Sequence, residues 1–247
     1  MLIERLSIAT PAYKEEAGIS DLIKNWMAFL KSRSELKEFE IVVCNDGSPD
    51  QTGIILNDLS QEFSQVKVIH HTKNQGAAAA LITAIRNTKL DWVFLLDSDG
   101  QFPVNNYQLF ANSLEQNNDL ALIGVRPQKK NAILSKAGSF LSGWLCNLLH
   151  GTNYRDFNSA LKLVRGDLLR SLTLEARGLN YSTEITSRLI ENGIQMKEVP
   201  AVHISRLTGK SSLKLRDGFF RILFVFYLGY RLLLIKLGVL QTKNYEI

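Results

Sequence analysis

A chain of 247 residues, 45% hydrophobic and 21% charged, has the make-up of a soluble globular protein with room for one large domain or one and a half. Its two cysteines, Cys44 and Cys146, sit in apolar segments without a pairing pattern, which sets aside a disulfide scaffold in favour of a reduced compartment. The net charge of +5 is modest, but basic residues crowd the stretch after Arg126 and again from Arg206 to Arg221, a distribution that suits phosphorylated substrates, anionic lipid or nucleic acid.

The first strand is expected over Leu6–Thr10, with no signal peptide ahead of it. Pro11-Ala12-Tyr13-Lys14-Glu15-Glu16 breaks it before a helix over Ile19–Leu30. That turn lacks Gly-x-Gly-x-x-Gly, so a dinucleotide-binding unit is not expected. A second strand, Phe39–Cys44, enters the turn-forming cluster Asn45-Asp46-Gly47-Ser48-Pro49-Asp50, where Asp50 or Thr52 suits the cap of a helix running to about Glu62. Val66–Ile69 reads as a third strand and Ala77–Arg86 as a helix. Trp92–Leu96 is the fourth strand, a helix follows over about Asn105–Glu115, and Leu120–Val125 is the fifth strand. This alternation predicts an α/β fold with a mostly parallel sheet and helices on both faces.

The second half is less regular. Leu134–Leu149 predicts a helix apolar on most sides, packed deeply or meeting lipid. Ala160–Val164 and Ile194–Val202 read as strands, and Gly166–Leu172 and Thr183–Glu191 as helices. Gly218–Leu240 is long and apolar enough to span a bilayer, yet Arg221, Arg231 and Lys236 share an arc of roughly 140° at helical periodicity, joined by Lys214 and Asp217. An interfacial helix with its cationic side toward headgroups is therefore expected first, an oligomer-forming helix second and a span third. A span would have to bury or snorkel Arg231 at about 2.5–3.5 kcal/mol for a central position.

The chemistry concentrates where the fourth strand ends, in Asp97-Ser98-Asp99-Gly100-Gln101. Chains leaving the C-terminal end of a central parallel strand enter the crevice where open α/β sheets bind ligands. Two carboxylates there repel each other unless a cation lies between them, and a hard ion such as Mg²⁺ or Mn²⁺, shared with a diphosphate, removes that cost. Asp46 at the end of the second strand can accept hydrogen bonds from an imide N–H or sugar hydroxyls. Asn74, Gln75 and Gly76 precede a helix whose N-terminus offers N–H groups to an anion. The histidines, His70, His71, His150 and His203, show no metal spacing and are expected to be structural, His203 being the one to test.

In order, Pro11–Glu16, Val42–Asp50, Asn74–Gly76, Asp97–Gln101, Asp156-Phe157-Asn158-Ser159-Ala160-Leu161 and the His203–Lys210 loop resemble the inverting glycosyltransferases of family 2 with the GT-A fold, nearest to polyprenol-phosphate sugar synthases of the dolichol-phosphate mannose synthase type. The resemblance implies a domain over residues 1–210, with a nucleotide-sugar half to about 125 and an acceptor half after it, followed by a membrane-interface helix and tail over 211–247. It implies that Pro11, Tyr13 and Glu15 line the base and ribose pocket with Asp46, that Asn74, Gln75 and Gly76 meet the donor, and that Asp97, Asp99 and Gln101 hold the metal. Arg126 and Ser135 would take the acceptor phosphate. Asp156 and Ser159 would contact substrate or position an arginine, and Arg206 and Lys210 would close over the phosphates. Asp97, Asp99, Arg126 and Arg206 form the expected catalytic set. The donor would be a GDP- or UDP-hexose, the acceptor a dolichyl or undecaprenyl phosphate and the location the cytoplasmic face of a membrane. Partners would include lipid through the C-terminal helix and a second copy of the chain, but no nucleic acid. Two alternatives stay open: a hydroxyl acceptor with Glu184 as base, and a non-catalytic nucleotide-sugar-binding module.

Overall fold

The computed structural model describes residues 2–114, 119–127, 133–176, 178, 180–204 and 215–241, with backbone alone for 133–139 and 215–221. Every apolar run of the first half becomes a strand of one sheet: β1 (Arg5–Ala12), β2 (Glu38–Asn45), β3 (Val66–His70), β4 (Trp92–Leu95) and β5 (Ala121–Val125). Between them run α1 (Ile19–Lys31), α2 (Thr52–Glu62), α3 (Ala77–Arg86) and α4 (Asn106–Ser113). The second half adds α5 (Ile133–His150), β6 (Lys162–Arg165), α6 (Gly166–Ser171), α7 (Tyr181–Glu191), β7 (Lys197–Pro200) and α8 (Leu215–Lys236). The seven strands lie in the order β3-β2-β1-β4-β6-β5-β7, so one sheet runs through both halves of the chain.

β4 is the middle strand, and its burial explains its composition. Trp92 and Phe94 enter a core with Ile8, Ile41, Ile23, Trp26 and Phe110. The alternate residues Val93 and Leu95 enter a second core with Ala9, Val42, Leu81, Ile185 and Leu189 on the other face. A strand covered on both faces has no polar side to show, hence the continuous apolar run. Each such large side chain contributes about 1.5–3 kcal/mol by its removal from water.

The expected parallel alternation breaks at β6, which runs antiparallel to both β4 and β5. The cause is the route of the chain. Leu161, just before β6, accepts the amide N–H of Gly124 near the C-terminal end of β5 at 2.9 Å, so the chain re-enters the sheet from the edge at which it left. β6 then descends to the opposite edge, where Gly166 donates to Asp91 O at 2.7 Å at the foot of β4.

The C-terminal helix departs from expectation at Arg231, while Lys236 of the same arc is exposed. α8 packs on α5 and α7 through Val225 and Leu228, which join Cys146 and Phe157 in a small core of their own. Arg231 is not turned to solvent: its side chain is 17% exposed and its Nε donates to Glu191 Oε2 at 3.1 Å. The acidic residues of α7 and the loop before it draw this cation inward, and apolar residues take the outer face. Phe226 is 68% exposed and Tyr230 60%, beside Phe140 at 76% and Trp144 at 53% on α5. Among the described residues no helix is long and apolar enough to cross a membrane.

Candidate active site

The ends of β1 and β2 form the first wall of the crevice. Their register sets Pro11 beside Cys44 and Ala12 beside Asn45, and Asp46 N–H donates to Ala12 O at 2.9 Å. Tyr13 and Lys14 are exposed, with the Lys14 ammonium 5.4 Å from the Tyr13 ring centroid, while the Glu15 N–H donates to Thr52 Oγ1 at 2.9 Å. Pro11 and Glu15 are half-buried. The Asp46 carboxylate sits deeper than a ligand-facing group would. It is 1% exposed and accepts from the N–H groups of Gln75 at 2.9 Å and Gly76 at 2.8 Å, and from His71 Nδ1 at 2.8 Å. Asp46 thus supplies the anion at the start of α3 itself. It leaves Asn74 and Gln75 exposed on the loop it holds, and His71 is the residue that steadies it. Gly47 has φ +62°, and a Cβ there would lie 2.5 Å from Lys73 C, so only glycine lets this loop and the 73–76 loop touch.

The second wall begins where β4 ends. Asp99 Oδ1 accepts the N–H of Gln101 at 3.0 Å, which closes the turn around Gly100. Asp97 Oδ1 accepts the hydroxyl of Tyr181, the first residue of α7, at 2.7 Å. Burial pushes the Asp97 carboxyl up to about 6 and the charge of Asp99 adds to this, while the Tyr181 hydrogen bond, Arg126 and Lys162 oppose it. Lys162 opens β6, paired with Leu95 of β4 and Ile123 of β5, and is fully buried. Its ammonium donates to the carbonyls of Ser159 and, at 3.2 Å, Ser182. Burial drives that amine down to about 7, with Asp156 and Asp97 favouring its charged form and Arg126 opposing it.

Arg126, just past the end of β5, meets Asp156 in a two-pronged pair: Nε donates to Oδ2 at 2.7 Å and Nη2 to Oδ1 at 2.8 Å. The guanidinium remains 39% exposed and is held charged, its pKa raised first by this bond. Asp97, Asp99, Arg126, Asp156 and Lys162 therefore form one charged constellation at the mouths of β4, β6 and β5.

Three expected contacts are not open to ligand. Ser159 is fully buried, and its Oγ has no hydrogen-bond partner among the described residues. Glu184 is also fully buried. Its oxygens accept the N–H groups of Glu175 at 2.9 and 3.0 Å and Ala176 at 2.7 Å, and Oε1 takes Arg188 Nη2 at 2.8 Å, which leaves no carboxylate poised as a base. Asp46 is the third. Ser135 lies in the first turn of α5, where only the backbone is described, and Arg206 and Lys210 lie outside the described residues. Ile204 donates to Gln101 O at 2.9 Å, and His203 meets Phe102 edge-on with ring centroids 4.9 Å apart. Tyr181 and the fully buried Lys162 belong to no expected site motif. A phenol at the head of a helix and a lysine inside a strand give no signal until the fold brings them under the crevice.

The donor set at Asp97 and Asp99 fits a hard divalent ion, because the charge of Asp99 opposes ionisation of Asp97 and a shared cation relieves that cost. Among the described residues no three His, Cys, Asp or Glu side chains gather as a metal site, so such an ion would draw further oxygens from a bound diphosphate.

Residues 7–173 match the family model described as Glycosyl transferase family 2. A dolichyl-phosphate beta-glucosyltransferase from Trichomonas vaginalis is 28% identical over 79% of this chain and 64% of its own length. An undecaprenyl-phosphate 4-deoxy-4-formamido-L-arabinose transferase from Edwardsiella ictaluri is 25% identical over 85% of this chain and 63% of its own length. The chain thus spans less than two thirds of these two relatives. A polyprenol monophosphomannose synthase from Mycolicibacterium smegmatis is 24% identical over 89% of this chain and 86% of its own length. Among solved structures, glucosyl-3-phosphoglycerate synthase from Mycobacterium tuberculosis in complex with Mn²⁺ and uridine-diphosphate-glucose aligns with a TM-score of 0.64 at 18% identity, over 97% of this chain and 81% of that one. At that identity the likeness speaks for the fold, an α/β sheet of the GT-A type.

Proposed function

The chain belongs to glycosyl transferase family 2, and from that premise we propose that it transfers a hexose from a nucleoside-diphosphate sugar to a polyprenyl phosphate with inversion. The observation that carries the reading is the pairing of an acidic β4 end, Asp97 and Asp99, with a cationic β5 end, Arg126 held open by Asp156. One end suits a metal-bound donor diphosphate and the other an acceptor phosphate. The relatives named for dolichyl, undecaprenyl and polyprenol phosphate support the acceptor.

Asp97 and Asp99, with Gln101 beside them, would hold Mg²⁺ or Mn²⁺. When bound, the ion would neutralise charge on the departing nucleoside diphosphate. Tyr13 and Glu15 would border the nucleoside. Arg126 would orient the acceptor phosphate, whose oxygen is already anionic near neutral pH, so alignment and exclusion of water count for more than a strong base. The buried state of Glu184 agrees with this and weighs against a hydroxyl acceptor activated there. Lys162 beneath the crevice adds a positive field where phosphates gather. Arg206 and Lys210 would close over the same phosphates.

The outward apolar face of α5 and α8 suits lipid, which we propose it meets at the cytoplasmic face of a membrane. It would bring the crevice to an acceptor whose prenyl chain stays in the bilayer. Labelled UDP- and GDP-hexoses incubated with polyprenyl phosphate and Mn²⁺ should give an organic-extractable labelled product that disappears in Asp99→Ala. A product that persists in that variant, or in chelator, would overturn the reading.

A further inference from the structure

We propose that Tyr181 is a positioning residue for Asp97, fixing one carboxylate oxygen so that the other serves the divalent ion and the donor diphosphate; this rests on the nucleotide-sugar reading above. The two aspartates are held in different ways. Asp99 is tied within its own turn by the Gln101 N–H at 3.0 Å. Asp97 is tied from 84 residues away, by the Tyr181 hydroxyl at 2.7 Å, and among the described residues this is the one hydrogen bond its carboxylate accepts.

The tether is rigid at its base. The Tyr181 ring is buried in the core that holds Val93 and Leu95, the residues leading into Asp97, together with Ala176. The loop before it is pinned by Glu184, which accepts the Glu175 and Ala176 N–H groups, and by Ala78, whose N–H donates to Gly178 O at 3.1 Å. A phenol so placed has little freedom, so its bond to an ionised oxygen restricts the carboxylate to one orientation. Without it, repulsion from Asp99 would turn Asp97 away from the position that shares an ion.

Tyr181→Phe keeps the buried ring and deletes the hydroxyl. Binding of UDP and, separately, GDP is measured by calorimetry with Mn²⁺ and in chelator, and the nucleotide that wild-type protein binds in a metal-dependent way is carried forward. The expected result is an affinity about tenfold weaker with Mn²⁺ and unchanged in chelator, with the urea midpoint showing a folded protein. In the Asp97→Asn background the same substitution should add almost nothing, because its effect passes through that carboxylate. Wild-type affinity in Tyr181→Phe overturns the positioning role and leaves the nucleotide-sugar reading standing. Equal losses with metal and in chelator also overturn it, since they report a general distortion. Wild-type binding that is indifferent to chelator overturns the underlying reading and this inference with it.

Discussion

Arg126 meets Asp156 side-on, with Nε and Nη2 on the two carboxylate oxygens at 2.7 and 2.8 Å. That geometry belongs to a guanidinium and cannot be made by an ammonium. Arg126→Lys should therefore lower transfer about tenfold or more while keeping the charge, with the loss in acceptor KM rather than donor KM. Asp156→Ala should do the same and also destabilise the fold, because it takes from Arg126 its two-pronged partner and leaves Asp97 as the nearer counter-charge for both Arg126 and the buried Lys162. Steady-state kinetics with each substrate varied separately would check both variants.

Arg188 is the hub of a buried network on α7. It donates to Glu184 at 2.8 Å, Glu191 at 3.1 Å and Glu175 at 3.0 Å. Removing it takes a cationic partner from two buried carboxylates, leaving Glu184 its backbone N–H bonds and Glu191 its bond from Arg231, and breaking a buried pair costs about 3–5 kcal/mol. Arg188→Met should lower the stability measured by urea unfolding by that order. Adding Glu184→Gln and Glu191→Gln should recover part of it.

His150 gives the fold an acid limit. Burial, with help from the charge of Arg188, lowers its pKa from 6.5 to about 4, and Nε2 lies 2.9 Å from Ser187 Oγ. Between those values the unfolded chain binds a proton that the folded chain does not. Stability is therefore complete above 6.5 and falls with pH down to about 4, by at most about 1.4 kcal/mol per pH unit for this group. Urea midpoints for the wild type and His150→Gln should diverge between pH 7 and pH 5, the variant losing less. Parallel curves would show that other groups set the limit.

The outer face of α5 and α8 should carry membrane attachment. Trp144→Asp with Phe226→Asp replaces two well-exposed apolar side chains, so urea stability should hardly change. Sedimentation with anionic vesicles should fall several-fold, and transfer to a long-chain acceptor should fall with it.

Much of this molecule was legible in its sequence, for local reasons. α3 was placed at Ala77–Arg86 as found, because Gly76 marks its start and the apolar spacing is helical up to Arg86. The β4 end stood out because a strand buried on both faces leaves the two aspartates in sharp contrast. What escaped depends on distant partners. The direction of β6 follows from where α5 returns the chain, which no strand pattern encodes. Asp46 looked like a ligand-facing acid, but the loop at Gln75 and Gly76 claims both its oxygens. Of the cationic arc expected on α8, Glu191 turns Arg231 inward while Lys236 stays exposed. The pairing of Tyr181 with Asp97 links residues that share no motif.

The reversed strand also acts as a ruler. Because β6 is wedged between β4 and β5, the backbones bearing Asp97 and Arg126 stand two strand spacings apart, about 10 Å, rather than side by side. Neighbouring strands would let the arginine and the aspartates quench each other in a direct ion pair. One strand further off, the two charges stay separate, the spacing that the proposed donor diphosphate and acceptor phosphate require.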